Sequence, residues 1–194
     1  SKHKLEILSA QPLSNPNLLR YLAARAIPLP IAKAYCSEVL FQNMNRTYYA
    51  IGFANDALGW EIRNMYFKGC IAPKAITTIK RGTDRLQIFE GFMDFLSWQT
   101  LNPSSTCDTI VLNSLALLPR IQEKIKSYKQ VESFLDHDDA GRKSFEVLKH
   151  FCPSIIDGSV RYQTHKDLNE WLVAQSKVKE KQPLLLTTKR GIRR

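Results

Sequence analysis

The sequence predicts an α/β fold, in which a parallel four-stranded sheet flanked by helices follows a smaller α+β region. From Leu86 onward, short runs rich in β-branched and aromatic residues alternate with longer segments of helical periodicity, and this alternation is typical of βαβ units. Before Leu86, β-rich segments follow one another with short polar links, which favours antiparallel pairing. The chain has 194 residues, of which 44% are hydrophobic and 24% charged, as in ordinary globular proteins.

Residues 16–35 predict two short helices with a turn between them. Apolar residues recur there at helical spacing, and Pro28 and Pro30 interrupt the pattern, because proline ends or breaks a helix. We assign these helices to an N-terminal α+β subdomain, residues 1–80.

Three β-rich segments complete this subdomain. TYYAIGFAN (47–55) and LGWEIRNMYF (58–67) predict an antiparallel hairpin or meander, and AITTIK (75–80) is a further candidate strand. Four aromatic residues of the hairpin are interpreted as strand packing rather than as base-stacking platforms: Tyr48, Tyr49, Trp60 and Tyr66.

The alternating pattern occupies residues 81–176, which we assign to a second domain. Four runs predict its strands: LQIFE (86–90), TIVLN (109–113), VESFLD (131–136) and SVRYQ (159–163). The segments FMDFLSWQTL, ALLPRIQEKIKSY and AGRKSFEVLKHF predict helices between them, and DLNEWLVAQSK (167–177) predicts a last helix. Ligands of such sheets bind beyond the carboxyl ends of the strands.

Acidic residues fall at two of these strand ends. Glu90 closes the first strand and Asp136 follows the third. Residues i and i+2 of an extended segment face the same side, so Asp136 and Asp138 can present two carboxylates to one point. Asp94 lies about one helical turn after Glu90 and can join them. Gly141 would allow the next helix to approach this backbone closely.

Carboxylate oxygens without soft ligands indicate a site for a hard cation. Mg²⁺ or Mn²⁺ would bind there through a few carboxylates, water and substrate phosphates. The alternative is that these acids are only N-caps of helices, and the occurrence of both acidic segments at strand ends of one sheet favours the metal site. No zinc is expected, because the four cysteines form no CxxC and no histidine pair has zinc-ligand spacing.

The charge of the chain favours an anionic partner. The formal net charge is +10, and a basic C-terminal tail, residues 177–194, contributes six of these charges. This tail is either a solvated end or a nucleic-acid contact. No apolar run approaches the ~20 residues that span a bilayer, and the N-terminus has no signal-peptide pattern. We therefore expect a cytoplasmic protein with reduced cysteines and no membrane partner.

Two motifs resemble the Toprim domain, which bacterial DNA primases, type IA and type II topoisomerases and several nucleases share. They are IFEGFMD (88–94) and FLDHDDAGRKS (134–144). The EGFMD form is similar to that of primases, and THKDLNEWL (164–172) resembles their later acidic segment, with Asn169 where a second acid is expected. The chain also resembles primase-like proteins of mobile elements and plasmids. The Toprim resemblance covers roughly 86–175, and residues 1–80 more loosely resemble the N-terminal part of the primase polymerase domain.

The resemblance implies a Toprim-type fold and a role for each acid. Glu90 corresponds to the family's catalytic glutamate, which assists proton transfer or binds metal, and Asp94 corresponds to a supporting catalytic aspartate. Asp136 and Asp138 correspond to the metal-binding pair, and Asp167 to the first acid of the later segment, a further metal ligand. The missing second acid of that segment bears on whether a second metal binds.

Basic residues near these motifs are candidates for phosphate contacts: Lys68, Lys74, Arg142, Lys143 and Lys166. Lys68 and Lys74 lie in the region that helps to form a basic track in primases, although each could be an ordinary surface lysine. Arg142 and Lys143 start a helix beside the expected metal site. Lys166 could pair with its neighbour Asp167 or meet a nucleotide phosphate.

The resemblance implies a primase-like catalytic core that synthesises RNA primers on single-stranded DNA. A 3′ hydroxyl would attack an α-phosphate with the assistance of Mg²⁺. The partners would be a single-stranded DNA template, nucleoside triphosphates and a replicative helicase. Two alternatives stay open: a Toprim nuclease, in which water is the nucleophile, and a non-catalytic nucleic-acid-binding module of a larger protein.

Overall fold

The computed structural model describes residues 5–181, which form two five-stranded sheets with helices packed against them. The first sheet is antiparallel, and its strands follow one another in chain order. These strands are β1 (Glu6–Gln11), β2 (Ser37–Asn43), β3 (Arg46–Ala54), β4 (Trp60–Arg63) and β5 (Lys68–Ile71). The sequence analysis predicts β3 and β4 but not the other three strands.

Two helices connect β1 to β2, as the sequence predicts. They are α1 (Pro16–Ala24) and α2 (Leu29–Tyr35). The side chain of Asn15 caps α1 by accepting a hydrogen bond from the N–H of Asn17 at 2.9 Å, and Pro28 precedes α2. Asparagine at the N-cap and proline near the helix start are both common, because the first N–H groups have no partner within the helix.

The hairpin of β4 and β5 turns earlier than the sequence indicates. Strand β4 ends at Arg63 because Asn64 closes a tight turn: its Oδ1 accepts the N–H of Tyr66 at 2.9 Å, and its N–H donates to the carbonyl of Phe67 at 2.9 Å. The interpretation of Tyr66 as strand packing is therefore wrong. Its side chain lies in the turn and is 91% exposed.

The second sheet has four parallel strands and one antiparallel edge strand, in the order β10-β9-β7-β8-β6. The strands are β6 (Thr77–Ile79), β7 (Arg85–Phe89), β8 (Asp108–Val111), β9 (Gln130–Phe134) and β10 (Ile156–Asp157). The predicted α/β class with a four-stranded parallel sheet is confirmed. Strand β6 lies within the segment 75–80, and it pairs with β8 of this sheet.

The helices of the second half connect these strands. They are α3 (Phe92–Leu101), α4 (Gln122–Ile125), α5 (Asp139–Phe151) and α6 (Leu168–Lys181). A 3-10 helix over Leu115–Ile121 precedes α4, so the helix predicted for ALLPRIQEKIKSY is mostly not an α-helix. Pro119 lies inside it, and proline has no N–H for an α-helical hydrogen bond. Residues 177–181 of the basic tail belong to α6, and residues 182–194 lie outside the described residues.

The prediction of a strand over SVRYQ is wrong. The fourth parallel strand is β10, only two residues long, and a 3-10 helix follows at Gly158–Tyr162. The reason is local: the Asp157 carboxylate accepts the N–H of Ser159 at 2.9 Å and caps the helical turn.

Adjacent residues of β7 contribute to two cores on opposite faces of the sheet. Ile88 belongs to the cluster that includes Leu148 of α5. Phe89 belongs to the other cluster and stacks on Phe134 of β9 with ring centroids 4.8 Å apart. A strand buried on both faces is what a parallel sheet covered by helices requires.

Aromatic packing fixes the first sheet against α3. Phe53 of β3 stacks on Phe92 with ring centroids 5.3 Å apart and contacts Phe95 at 5.9 Å. All three side chains are buried in the cluster that also holds Phe89. This packing places β4 and β5 beside the carboxyl end of β7, where Glu90 follows.

Within residues 5–181, no helix combines the length and apolar character needed to cross a membrane. The four cysteines are free thiols in this structure, and Cys36 is the buried one. Burial raises the pKa of the Cys36 thiol, so this side chain behaves as a small core residue.

Candidate active site

A cleft of about 380 Å³ lies at the carboxyl edge of the parallel strands. Most of the acids that line it come from the second half of the chain: Glu90 and Asp94 follow β7, Asp136 follows β9, and Asp167 precedes α6. A further acid, Glu61, lies in β4 of the first sheet. Basic residues that line it are Arg63, Lys68 and Lys166. The structure therefore brings most of the predicted site residues together.

Glu90 is held by the backbone of the neighbouring strands. Its N–H donates to the carbonyl of Phe134 at 3.3 Å, and its carbonyl accepts the N–H of Asn113 at 3.0 Å. Its Oε2 accepts the N–H of Asp136 at 3.2 Å. Burial, together with the charge of Asp138, raises the pKa of Glu90, although the Asp136 N–H and the charges of Lys68 and Lys166 oppose that shift.

Asp136 carries the clearest electrostatic signature of the cleft. Burial, followed by the charges of the nearby Glu90 and Asp167 carboxylates, raises its pKa to about 7. Lys166 opposes this shift. Burial and neighbouring like charges disfavour ionisation, so a bound cation would stabilise the ionised form of this carboxylate.

Asp94 forms the floor of the acidic cluster and is 8% exposed. Its Oδ1 accepts the N–H of Asn169 at 3.2 Å. Burial raises the pKa of Asp94 well above its ordinary range, and the charges of Asp167 and Asp136 add to this. Asp94 therefore contacts both the cleft and the start of α6.

Two of the predicted metal ligands also cap helices. Oδ1 of Asp138 accepts the N–H of Gly141 at 2.8 Å at the start of α5, and Oδ1 of Asp167 accepts the N–H of Glu170 at 2.7 Å in α6. A Cβ at position 141 would lie 2.0 Å from the carbonyl oxygen of Asp136, so the predicted need for glycine there is confirmed. Both residues are therefore helix caps, and Asp167 also lines the cleft, whereas Asp138 is not among its lining residues.

Asn169 lies behind the cleft and is 1% exposed. Its amide nitrogen donates to the carbonyl of Arg25 at 3.0 Å and to Ser97 Oγ at 2.9 Å, and its Oδ1 accepts from the Arg25 guanidinium at 3.1 Å. The side chain therefore joins α1, α3 and α6. An amide fits this position because it donates and accepts at once, which a carboxylate cannot do.

The basic candidates divide into three groups. Lys68 and Lys166 line the cleft, whereas Lys74 forms an ion pair with Glu61 at 2.8 Å. Arg142 and Lys143 line a separate pocket beside α5, and the Arg142 guanidinium contacts Asp139 at 2.6 Å.

Glu61 and Asn113 are among the polar residues of the cleft wall that sequence reasoning misses. Glu61 lies in β4, where nothing in the local sequence distinguishes it from a surface residue of an antiparallel strand. Asn113 lies beyond the end of β8 with φ 62°. Asn113 could have been found, because a polar residue directly after a parallel strand indicates a ligand site at the sheet edge. The same pattern identified Glu90 and Asp136.

The acidic residues fit a hard cation, but as an open site. Among residues 5–181, no three acidic, histidine or cysteine side chains are grouped closely enough to hold an ion by themselves. Mg²⁺ commonly binds through one or two carboxylates, with water and substrate phosphates as the other ligands. Burial and, after it, repulsion by neighbouring carboxylates raise the pKa of Asp136, and a bound cation would offset both effects. The donors therefore suit a metal that substrate phosphates help to bind.

Comparison with known families identifies the kind of domain in which this cleft lies. Residues 87–172 match a family model described as Toprim-like. This segment is a Toprim domain. Residues 7–72 match a model described as a domain of unknown function (DUF8464). No curated protein shows significant similarity to the sequence.

Solved structures share the fold of the Toprim domain and of the sheet before it. The primase fragment of the bacteriophage T7 primase–helicase protein has a TM-score of 0.61 and 15% identity, over 89% of this chain and 78% of that one. The second structure holds bacteriophage T7 lagging-strand DNA polymerase and primase domains of two gp4 subunits, with an RNA/DNA hybrid and dTTP. A chain of it has a TM-score of 0.60 and 15% identity, over 87% of both chains. The chain therefore contains a Toprim-like domain, and its fold is similar to that of these primase structures.

Proposed function

We propose that this chain is the catalytic core of a primase-like nucleotidyltransferase, which synthesises RNA primers on single-stranded DNA. The observation that supports it is one cleft of a Toprim domain in which the carboxylates of Glu90 and Asp136 lie with Lys68 and Lys166. Carboxylates that hold a cation and lysines that hold phosphates are the two requirements of phosphoryl transfer.

The metal ligands we propose are Glu90, Asp136, Asp138 and Asp167, for Mg²⁺ or Mn²⁺. When bound, the ion supplies Lewis-acid stabilisation of charge on the reacting phosphate. Asp138 and Asp167 each use one oxygen as a helix cap, so each keeps a second oxygen with which to bind.

Glu90 is the residue we propose for proton transfer from the attacking 3′ hydroxyl. Its pKa is raised by burial, and a carboxylate with a raised pKa accepts a proton more readily near neutral pH. Asp94 would support it by holding the start of α6, which carries Asp167, through the N–H of Asn169.

Lys68 and Lys166 are the residues we propose for phosphate contacts, with a single-stranded DNA template and nucleoside triphosphates as ligands. A replicative helicase is the protein partner we propose, since the similar bacteriophage fragment comes from a primase–helicase protein. Arg142 and Lys143 would contact DNA outside the cleft, because they line a different pocket.

The decisive assay incubates the full chain with single-stranded DNA, labelled nucleoside triphosphates and Mn²⁺ or Mg²⁺. We expect short labelled RNA products. Shortened DNA would replace the proposal with a Toprim nuclease, and DNA binding without any product would leave a non-catalytic module. An Asp136→Asn variant should abolish product, and Asp139→Asn is the matched control because this carboxylate lies outside the cleft and is 87% exposed.

A second prediction concerns metal binding and the melting temperature. Mg²⁺ or Mn²⁺ should stabilise the native chain, by about 2.7 kcal/mol at a concentration 100 times Kd. Asp136→Asn should lose much of this shift. It should also melt higher than wild type without metal at pH 8, because one of the repelling charges is gone.

Asp139→Asn again serves as the control and should keep the wild-type metal response. An unchanged response of Asp136→Asn, measured by calorimetry over a metal titration, would place the metal elsewhere.

A further inference from the structure

A second concave surface lies outside the cleft, between α1, the start of β3 and the turn that joins β4 to β5. It encloses about 560 Å³ and its lining includes Tyr48, Tyr49, Met65, Tyr66, Arg20 and Asn17. We call it the tyrosine pocket. The sequence analysis interprets its tyrosines as strand packing, and no part of the proposed chemistry uses it.

The side chains of the tyrosine pocket suit a planar ligand that carries negative charge. Tyr66 is 91% exposed and Met65 is 63% exposed, so neither side chain is needed for the core. Arg20 contributes a guanidinium, and no carboxylate occurs among the described lining residues. Aromatic rings and arginine together bind the bases of single-stranded nucleic acid, because every base presents a π-face and every linkage a phosphate.

Hydrogen bonds hold the pocket in one shape. The Asn64 amide nitrogen donates to the carbonyl of Tyr49 at 2.9 Å, and its Oδ1 accepts the N–H of Tyr66 at 2.9 Å. The Asn17 amide donates to the Tyr49 hydroxyl at 2.6 Å, and Arg20 donates to Asn17 Oδ1. A preformed pocket costs less conformational entropy on binding than a disordered one.

The tyrosine pocket and the catalytic cleft share one hairpin. Arg63 and Lys68 pair across its last rung and line the cleft. Asn64, Met65 and Tyr66, in the turn between them, line the pocket. A single DNA strand that leaves the cleft over the side chains of Arg63 and Lys68 therefore reaches the turn directly.

We propose that the tyrosine pocket binds a base of single-stranded DNA whose neighbouring phosphates lie over Arg63 and Lys68. The choice of ligand rests on the proposed function, in which the same single-stranded DNA is the template. The pocket adds a contact to the base, whereas the contacts proposed for the cleft are to phosphates.

The test separates stacking from charge by measuring single-stranded DNA affinity at several salt concentrations. Tyr66→Ala should weaken binding at least about 5-fold, the lower end of one base–aromatic stack, at every salt concentration and without a change in slope. Lys68→Ala should instead lower the slope of log affinity against log salt by about 0.7, the value for one phosphate contact on a single strand. Tyr66→Phe keeps the ring and should bind as wild type.

Leu58→Ala is the matched control, because Leu58 is an 89% exposed apolar residue of the turn between β3 and β4 and does not line the pocket. It should leave DNA affinity unchanged. A DNA oligomer with abasic sites keeps the phosphates and lacks bases, so Tyr66→Ala should bind it as tightly as wild type does. Equal losses on normal and abasic DNA, or no loss on either, would overturn the proposal.

These outcomes are distinct from those of the primer-synthesis assay. Affinity that depends on Tyr66 in a chain that makes no primer would support the tyrosine pocket and remove the proposed enzymatic function. Primer synthesis together with unchanged DNA affinity of Tyr66→Ala would support the proposed function and overturn the proposal that the tyrosine pocket binds a DNA base.

Discussion

Glu90→Gln is expected to lower turnover by ~10²-fold or more, in the range usual for loss of acid–base assistance. Glutamine keeps the shape of the side chain and can still accept the N–H of Asp136 through its carbonyl oxygen, as Glu90 Oε2 does at 3.2 Å. It cannot take up a proton. The substitution therefore removes the titrating group and leaves the geometry of the strand ends in place.

The measurement is single-turnover primer synthesis, with DNA affinity determined in parallel. Affinity should change little, because the proposed DNA contacts are basic residues and the tyrosine pocket, and Glu90 is not among them. Glu123→Gln is the matched control, since Glu123 is an exposed helix residue that pairs with Lys126 and does not line the cleft. Full activity of Glu90→Gln would show that the central residue of the Toprim resemblance does not act in this protein.

The acidic half of the site could be predicted because each residue follows directly from local sequence. Glu90 and Asp136 come straight after buried strands, and parallel strands bring their carboxyl ends to one edge. Alternation in an extended segment predicts Asp136 and Asp138 on one side, but only Asp136 is among the residues that line the cleft, and Asp138 caps α5. The local sequence pattern predicts at which strand end an acidic residue lies. Its hydrogen bonds depend on the helix that follows, which the strand pattern does not describe.

The opposite wall of the cleft could not be predicted from local pattern, because tertiary packing creates it, and Lys68 became a candidate only through the resemblance. Glu61 and Lys68 belong to the first sheet, and the stack of Phe53 on Phe92 places that sheet beside Glu90. Strand β1 has no buried residue, so its sequence lacks the alternation that reveals a half-buried strand. Strand β5 is only four residues long, too short for a reliable pattern.

The stability prediction with the largest expected effect concerns Asp108, at the start of β8 and 2% exposed. Its Oδ1 accepts the N–H of Arg81 at 2.7 Å and of Gly82 at 3.0 Å, and its Oδ2 accepts the Tyr128 hydroxyl at 2.8 Å. Lys80 lies 3.2 Å from Oδ2. The carboxylate therefore fixes the loop before β7 to the start of β8.

The pKa of Asp108 gives the expected pH dependence. Burial alone would raise it, but the Arg81 N–H, the Tyr128 hydroxyl and the Lys80 ammonium lower it to about 2. An aspartate pKa in the unfolded chain is about 3.9, so the folded state holds the ionised form more tightly. The stabilisation is fully present above pH ~4 and is lost as the pH falls toward about 2.

Asp108→Asn should therefore lower the free energy of unfolding at pH 7 by roughly 2–4 kcal/mol, because a neutral amide replaces a buried, charged acceptor and leaves its donors poorly matched. Urea unfolding at pH 7 and at pH 3 measures this, and the difference between wild type and variant should shrink at pH 3. Asp84→Asn is the control: Asp84 pairs with Lys129 at 2.9 Å in the same loop but is exposed, so its loss should change stability little. A deficit of Asp108→Asn that stayed the same at both pH values would mean that side-chain shape, and not the charge of the carboxylate, holds this loop to β8.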